Sequence, residues 1–199
     1  MADEITINSA LNDKFFMEDI AKRKLFLNYD IDEQVFNSVG YWILRWNEED
    51  RDIPVDKRKP IKLYVMSDGG DVISGLALID IMLASETPII TVNFGQWYSM
   101  GFYIGICGDS RYGSRMSTYC AHDGELGIAQ STNKAKDFMN FYDELQKRMQ
   151  KIICERTVIS AEELEKNSRK EWYMFAEEAR NKGVIDGIIG EDIDIAEVL

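Results

Sequence analysis

One serine of this chain stands at a position suited to hydroxyl chemistry. Ser99 lies in the stretch GQWYSMG, between a glycine-opened turn and the apolar run MGFYIGICG. A serine at the start of a helix usually caps it by accepting a backbone hydrogen bond. The same position also suits a nucleophile, because the positive end of the helix dipole favours negative charge there. The serine by itself does not decide between these two roles.

Two other features supply what a serine nucleophile needs. His122 is the only histidine of the chain, so a mechanism that requires an imidazole base must use it. Gly69 and Gly70 follow an apolar stretch and offer backbone N–H groups without a side chain in the way. Taken singly, the histidine reads as a buried core residue and the glycine pair as a tight turn. Taken together with Ser99, they form the nucleophile, base and amide donors of acyl transfer.

Cys120 is a rival nucleophile because it precedes His122 by two residues. In a strand, both side chains would lie on the same face. Their Cα atoms would be about 6.5–7 Å apart, a separation at which parallel side chains rarely hydrogen-bond directly. We therefore expect Cys120 to be a structural thiol.

The pattern of apolar residues predicts the elements that position these groups. Strands are predicted over residues 24–31, 61–67, 88–94, 115–122 and 184–189, with an irregular strand over 123–130. Helices are predicted over residues 32–46, 71–85, 133–156 and 175–183, and others begin after residues 99 and 160. This alternation indicates an α/β protein with a mainly parallel sheet, whose chemistry lies at the carboxyl ends of the strands. The glycine pair, Ser99 and His122 each follow a predicted strand.

Composition narrows the class of protein. The chain has 199 residues, which suits one domain, and a net charge of −12, which disfavours nucleic-acid and anionic-membrane partners. No apolar run approaches the ~18 residues that cross a bilayer, and the acidic N-terminal stretch does not read as a secretory signal. Cys107, Cys120 and Cys154 form no CxxC pair, so we expect reduced thiols and a cytoplasmic protein.

Several stretches of the sequence follow one another in an order and at a spacing that are typical of one protein family. They are RKLFLNYDID, SDGGDVISGLALID, GQWYSMG, AH and YMFAEEARNKGVID. Over roughly residues 22–190 they resemble the proteolytic subunits of the Clp protease family. The resemblance implies a crotonase-like α/β spiral of βαβ units in a single domain over residues 1–199. It also implies an N-terminal arm at 1–21, a core at 22–190 and a handle region at 128–156 through which two rings stack.

The resemblance assigns roles to individual residues. Ser99 would be the nucleophile and His122 its base, and the backbone N–H groups of Gly70 and Met100 would form the oxyanion hole. The first turn of a helix also leaves the Met100 N–H unpaired on physical grounds. Since GQWYSMG is not a GxSxG motif, the strained elbow of the α/β-hydrolases is not indicated.

Glu171 marks the first departure from the family pattern, because the family has an aspartate at this position. Glutamate can serve as the orienting acid of a triad, although it is one methylene longer. If the alignment slips, Asn167 or a distant carboxylate would lie near the histidine instead.

Two further departures concern binding. After His122 the chain has DGELG where the family has Gln-Pro-x-Gly-Gly, in a segment that pairs with extended substrate. We expect substrate binding at Gly69, Leu126 and Gly127. The family also docks on a hexameric unfoldase through an apolar, tyrosine-lined pocket. Tyr64 keeps one such aromatic, whereas Lys62 stands where a second is usual.

The function implied by the resemblance is that of a self-compartmentalised serine endopeptidase that cuts unfolded polypeptides. It would form homo-oligomeric rings of seven, stacked into a tetradecamer, and an ATP-dependent AAA+ unfoldase would supply substrate. No metal or organic cofactor is required. Two alternatives stay open. One is a catalytically inactive ring subunit with a structural or regulatory role, and the other is a crotonase-type acyl-CoA enzyme.

Overall fold

The structure, a computed structural model, describes residues 2–122, 124, 132–167 and 170–199, with side chains from residue 12 onward except at Thr132. Five parallel strands form the main sheet in the order β1-β2-β3-β5-β8. These strands are Lys24–Leu27 (β1), Ile61–Val65 (β2), Ile89–Asn93 (β3), Ser110–Ser114 (β5) and Gly187–Ile189 (β8). Buried residues run almost continuously along β2 and β3, as expected for a parallel sheet covered on both faces. The predicted α/β class with a parallel sheet is confirmed.

A second, smaller sheet stands beside the first and has the order β4-β6-β7. It contains Gln96–Tyr98 (β4), Thr118–Ala121 (β6) and Trp172–Phe175 (β7). The β4 and β6 strands are parallel, whereas β6 and β7 are antiparallel. The predicted strand at 115–122 is therefore shorter than expected and does not belong to the main sheet.

Eight α-helices occur in the described residues. They are Ala2–Ala21 (α1), Tyr41–Glu49 (α2), Val72–Ala84 (α3), Met100–Ile106 (α4), Thr132–Arg156 (α5), Ala161–Asn167 (α6), Ala176–Asn181 (α7) and Ile195–Val198 (α8). A π-helical turn, Phe36–Gly40, precedes α2. Within the arm expected at 1–21, residues 2–21 form one helix. Within the described ranges, no helix combines the length and apolar character needed to cross a bilayer.

Local signals explain where several helices begin and end. Asp71 caps α3, because its carboxylate accepts a hydrogen bond from the Ser74 N–H at 2.7 Å. Ser160 accepts one from the Glu163 N–H at 3.2 Å, as in a capping box, and α6 begins after residue 160 as predicted. Gly183 follows α7 with φ at +66°, a conformation that glycine adopts without strain.

The core joins the two sheets through α4, all of whose residues are buried. Trp97 of β4 is fully buried, stands edge-on to Tyr119 of β6 and donates its indole N–H to the Val65 carbonyl at 3.0 Å. A Cβ at Gly105 would lie 2.3 Å from the Trp97 ring. The helix α4 can therefore approach this ring so closely only because position 105 is a glycine. This packing fixes the junction between β4 and α4, where Ser99 lies.

Candidate active site

Ser99 is the single residue between β4 and α4. Its backbone has φ at +51° and ψ at −124°, a strained conformation for a residue with a side chain. Its N–H donates to the Cys120 carbonyl at 3.0 Å, which continues the β4–β6 ladder by one residue. The Ser99 side chain makes no capping hydrogen bond. The hydroxyl therefore does not serve as the helix cap that a lone serine would suggest.

The strain at Ser99 corrects the expectation drawn from the missing GxSxG motif. A sharp strand-to-helix turn with a positive φ at the serine is the local geometry of a nucleophile elbow. The second glycine of that motif has a counterpart in Gly101, where a Cβ would lie 2.9 Å from the Ser67 carbonyl oxygen.

Gly69 and Gly70 line the wall that faces this turn. Their φ values are +113° and +144°, which side-chain-bearing residues rarely adopt. A Cβ at Gly69 would lie 2.6 Å from Ser99 Cβ and 3.1 Å from Ser99 Oγ. A Cβ at Gly70 would lie 2.2 Å from the Ile31 carbonyl oxygen. Both positions therefore require glycine, and the first touches the serine itself.

The resemblance implies that the backbone N–H groups of Gly70 and Met100 form an oxyanion hole. The Ile31 carbonyl accepts from Asp71, and the Gly69 carbonyl accepts from Ile31, so the peptide N–H of Gly70 points away from that ladder. Met100 is the first residue of α4, where an N–H has no partner within the helix. A Cβ built at Gly69 would lie 3.0 Å from the Met100 nitrogen, so the glycine pair and the start of α4 lie close together beside Ser99.

His122 directly follows β6, and the register brings Glu171 opposite to it. Pairing of Ala121 with Trp172 in the antiparallel β6–β7 ladder makes residues 122 and 171 the next facing pair. Glu171 Oε1 lies 3.4 Å from His122 Nδ1. The His122 side chain is 20% exposed and that of Glu171 53% exposed. This carboxylate can therefore orient the imidazole while remaining in contact with solvent.

Ser99 and His122 end neighbouring parallel strands, since Tyr98 of β4 pairs with Cys120 of β6. The hydrogen bonds among the described residues do not include one between Ser99 Oγ and the His122 ring. Catalytic hydrogen bonds are often long or misaligned without substrate and tighten on binding. The structure thus joins His122 to Glu171 and places Ser99 on the adjacent strand end.

Cys120 contacts the acid rather than the histidine. Its thiol donates to Glu171 Oε2 at 3.3 Å. Burial, together with the neighbouring Glu171 carboxylate, raises the pKa of the Cys120 thiol to about 12. The thiol is therefore protonated and weakly nucleophilic at neutral pH, in agreement with the structural role expected for it.

A small cavity of about 20 Å³ adjoins His122 on the side of α5 and α6. Its lining includes Gln150, Asn167 and Trp172. The Asn167 amide donates to the Glu163 carbonyl at 2.8 Å, so Asn167 has a partner other than the imidazole. Leu126 and Gly127, which were expected to bind substrate, lie outside the described residues. No group of three metal-ligating side chains occurs within the described part of the chain.

Comparison with known proteins adds to this geometry. Residues 10–192 match the Clp protease family. The chain is 31% identical over 178 residues to the ATP-dependent Clp protease proteolytic subunit 2 of Prochlorococcus marinus (strain NATL2A), which covers 85% of this chain and 83% of that protein. A match of this extent, together with the arrangement of Ser99, His122 and the paired glycines, shows that the chain belongs to the Clp protease family.

Proposed function

We propose that this protein is a serine endopeptidase that hydrolyses peptide bonds of unfolded polypeptides. The observation that carries the proposal is the His122–Glu171 contact at 3.4 Å beside a serine held in a strained strand-to-helix turn. Ser99 Oγ attacks the scissile carbonyl while His122 Nε2 takes its proton. Glu171 holds the Nδ1–H tautomer, and the Gly70 and Met100 N–H groups stabilise the oxyanion. Water then hydrolyses the acyl-enzyme.

The proposal includes a crotonase-like single domain that assembles into stacked rings of seven, as in the family it belongs to. Exposed apolar side chains support such contacts on two surfaces. Phe138, Met139 and Phe141 are 37–53% exposed on the first half of α5, the proposed handle between rings. Phe36, Tyr41, Leu44, Ile73 and Leu83 are 46–57% exposed around α2 and α3, where neighbours within a ring would pack. Unpaired Cys107, Cys120 and Cys154 are consistent with a cytoplasmic setting.

An AAA+ unfoldase is the proposed source of substrate. The aromatic rings of Phe26, Tyr64 and Phe94 stack in sequence, with centroids 4.9 Å and 6.2 Å apart. They line an apolar depression of about 310 Å³ on one face of the main sheet. Lys24 lies at its rim, and Lys62 is the partner of Lys24 in the β1–β2 register. An apolar side chain from a partner loop would insert here, with carboxylates nearby to pair with the lysines.

Hydrolysis of a fluorogenic peptide by the purified protein tests the endopeptidase proposal. We expect turnover that Ser99→Ala abolishes and that Glu177→Gln, an exposed substitution on α7, leaves intact. A catalytically inactive ring subunit is the second candidate, favoured by the missing hydrogen bond between Ser99 and His122. Oligomeric protein without Ser99-dependent turnover, with or without an added unfoldase, would support that candidate instead.

A further inference from the structure

The two oxygens of the Glu171 carboxylate contact different residues, His122 and Cys120. Oε1 faces His122 Nδ1 at 3.4 Å, and Oε2 accepts the Cys120 thiol at 3.3 Å. The thiol is 2% exposed, whereas the glutamate is half exposed. A half-exposed side chain is therefore held from the buried side by the Cys120 thiol.

The strand register explains this double contact. Residues 120 and 122 share one face of β6, and Glu171 lies across from the second of them. On an antiparallel pair, the diagonal neighbour two residues along is within reach of a long side chain. A glutamate extends one methylene further than an aspartate, so its carboxylate can contact both the histidine opposite and the thiol on the diagonal.

The groups around the carboxylate decide which of them donates. Burial and Glu171 keep the Cys120 pKa at about 12, so the thiol carries its proton at the pH of the cell. Tyr173, next on the same face of β7, has its pKa raised by the neighbouring Cys120 and Glu171, so it too is neutral. Tyr98 of β4 stands edge-on to Tyr173. The carboxylate is thus the acceptor among neutral donors.

We propose that Cys120 is a positioning residue, which fixes Glu171 by a thiol hydrogen bond so that the other carboxylate oxygen meets His122 Nδ1. The consequence for catalysis rests on the proposed function. A long exposed side chain loses rotamer freedom when it is held in one geometry, and the hydrogen bond from Cys120 offsets that loss. The imidazole then keeps its proton on Nδ1 and presents the Nε2 lone pair toward the serine.

The single histidine makes a direct test possible without any enzymatic assay. Imidazole ¹⁵N chemical shifts, recorded at a pH where the ring is neutral, report the tautomer of His122 alone. We expect mainly the Nδ1–H tautomer in the wild type, and a shift toward Nε2–H in Glu171→Gln. Cys120→Ala should shift it in the same direction, and Cys120→Ser, which restores a donor, should shift it back. Cys107→Ala is the matched control, since Cys107 is also buried but does not contact Glu171.

Kinetics complete the test. Cys120→Ala should lower kcat by about 3- to 10-fold with KM unchanged, the effect of one weak hydrogen bond to a charged group. In a Glu171→Asp background the same substitution should have no further effect, because the shorter acid cannot reach the thiol. An unchanged tautomer in folded Cys120→Ala, with a clear shift in Glu171→Gln, would overturn the proposal. If the tautomer responds as expected but no variant hydrolyses peptides, the positioning role stands and the proposed function fails.

Discussion

Removing the carboxylate of Glu171 should slow peptide hydrolysis by an amount that the structure limits. At 3.4 Å, a full charge pair between Glu171 and the His122 imidazolium is worth about 5 kcal/mol at an effective dielectric constant of about 20, and about 1 kcal/mol in water. Because 53% of the Glu171 side chain is exposed, solvent screening places the interaction near the lower end, at about 1–3 kcal/mol. Each 1.36 kcal/mol is a factor of ten in rate, so Glu171→Gln should lower kcat by about 5- to 150-fold.

This loss is smaller than the roughly 10⁴-fold that follows removal of the buried aspartate of a serine-protease triad. The assay is steady-state hydrolysis of a fluorogenic peptide, with Glu177→Gln as a charge-matched control on an exposed surface. We expect KM to stay the same, because Glu171 faces the histidine and not the serine. A loss of less than twofold in Glu171→Gln, or an equal loss in the control, would refute the reasoning.

Three further predictions follow from the backbone and the buried charges. Ser99→Gly should melt at a higher temperature than Ser99→Ala in calorimetry, since glycine relieves a strain worth about 1–3 kcal/mol; equal melting temperatures would show that the turn is unstrained. Gly69→Ala should abolish hydrolysis and reduce stability, because its Cβ would lie 2.6 Å from Ser99 Cβ; a fully active variant would contradict the close contact. The Arg23 guanidinium lowers the pKa of Asp50, so the stability from this pair is present above the ordinary pKa of about 3.9 and is lost as pH falls through the lower folded value. In urea titrations, the stability difference between wild type and Asp50→Asn should shrink below about pH 4, and a constant difference would contradict the assignment.

The sequence predicted the positions of the chemical groups better than the sheet that carries them. Ser99 and His122 do follow strands, but these are β4 and β6 of a small second sheet, rather than β3 and a member of the main sheet. The β4 strand could not be predicted because it is only three residues long and directly follows a glycine. The β5 strand, with the sequence SRYGS, could not be predicted because it lacks the apolar alternation typical of strands. Helices such as α3 and α5 were predicted almost to the residue, because their apolar periodicity is local.

Long-range pairing explains what the sequence did not reveal. The face shared by Cys120 and His122 follows from the alternation of a strand, and the sequence predicted it correctly. The acceptor of the thiol lies 51 residues away, directly before β7, and no local pattern indicates that pairing. The contact of Glu171 with both residues could therefore not be predicted without knowing the register between β6 and β7. The strain at Ser99 likewise depends on how α4, Trp97 and Gly69 pack around the turn.

The central claim is that Ser99 is an activated nucleophile, and covalent labelling with a fluorophosphonate measures this most directly. We expect one adduct per chain, mapped by peptide mass spectrometry to Ser99, absent in Ser99→Ala and retained in Cys120→Ala. The rate of labelling should fall in Glu171→Gln. Folded, oligomeric protein that takes up no probe between pH 6 and 9, or that carries the adduct on a different residue, would contradict the account.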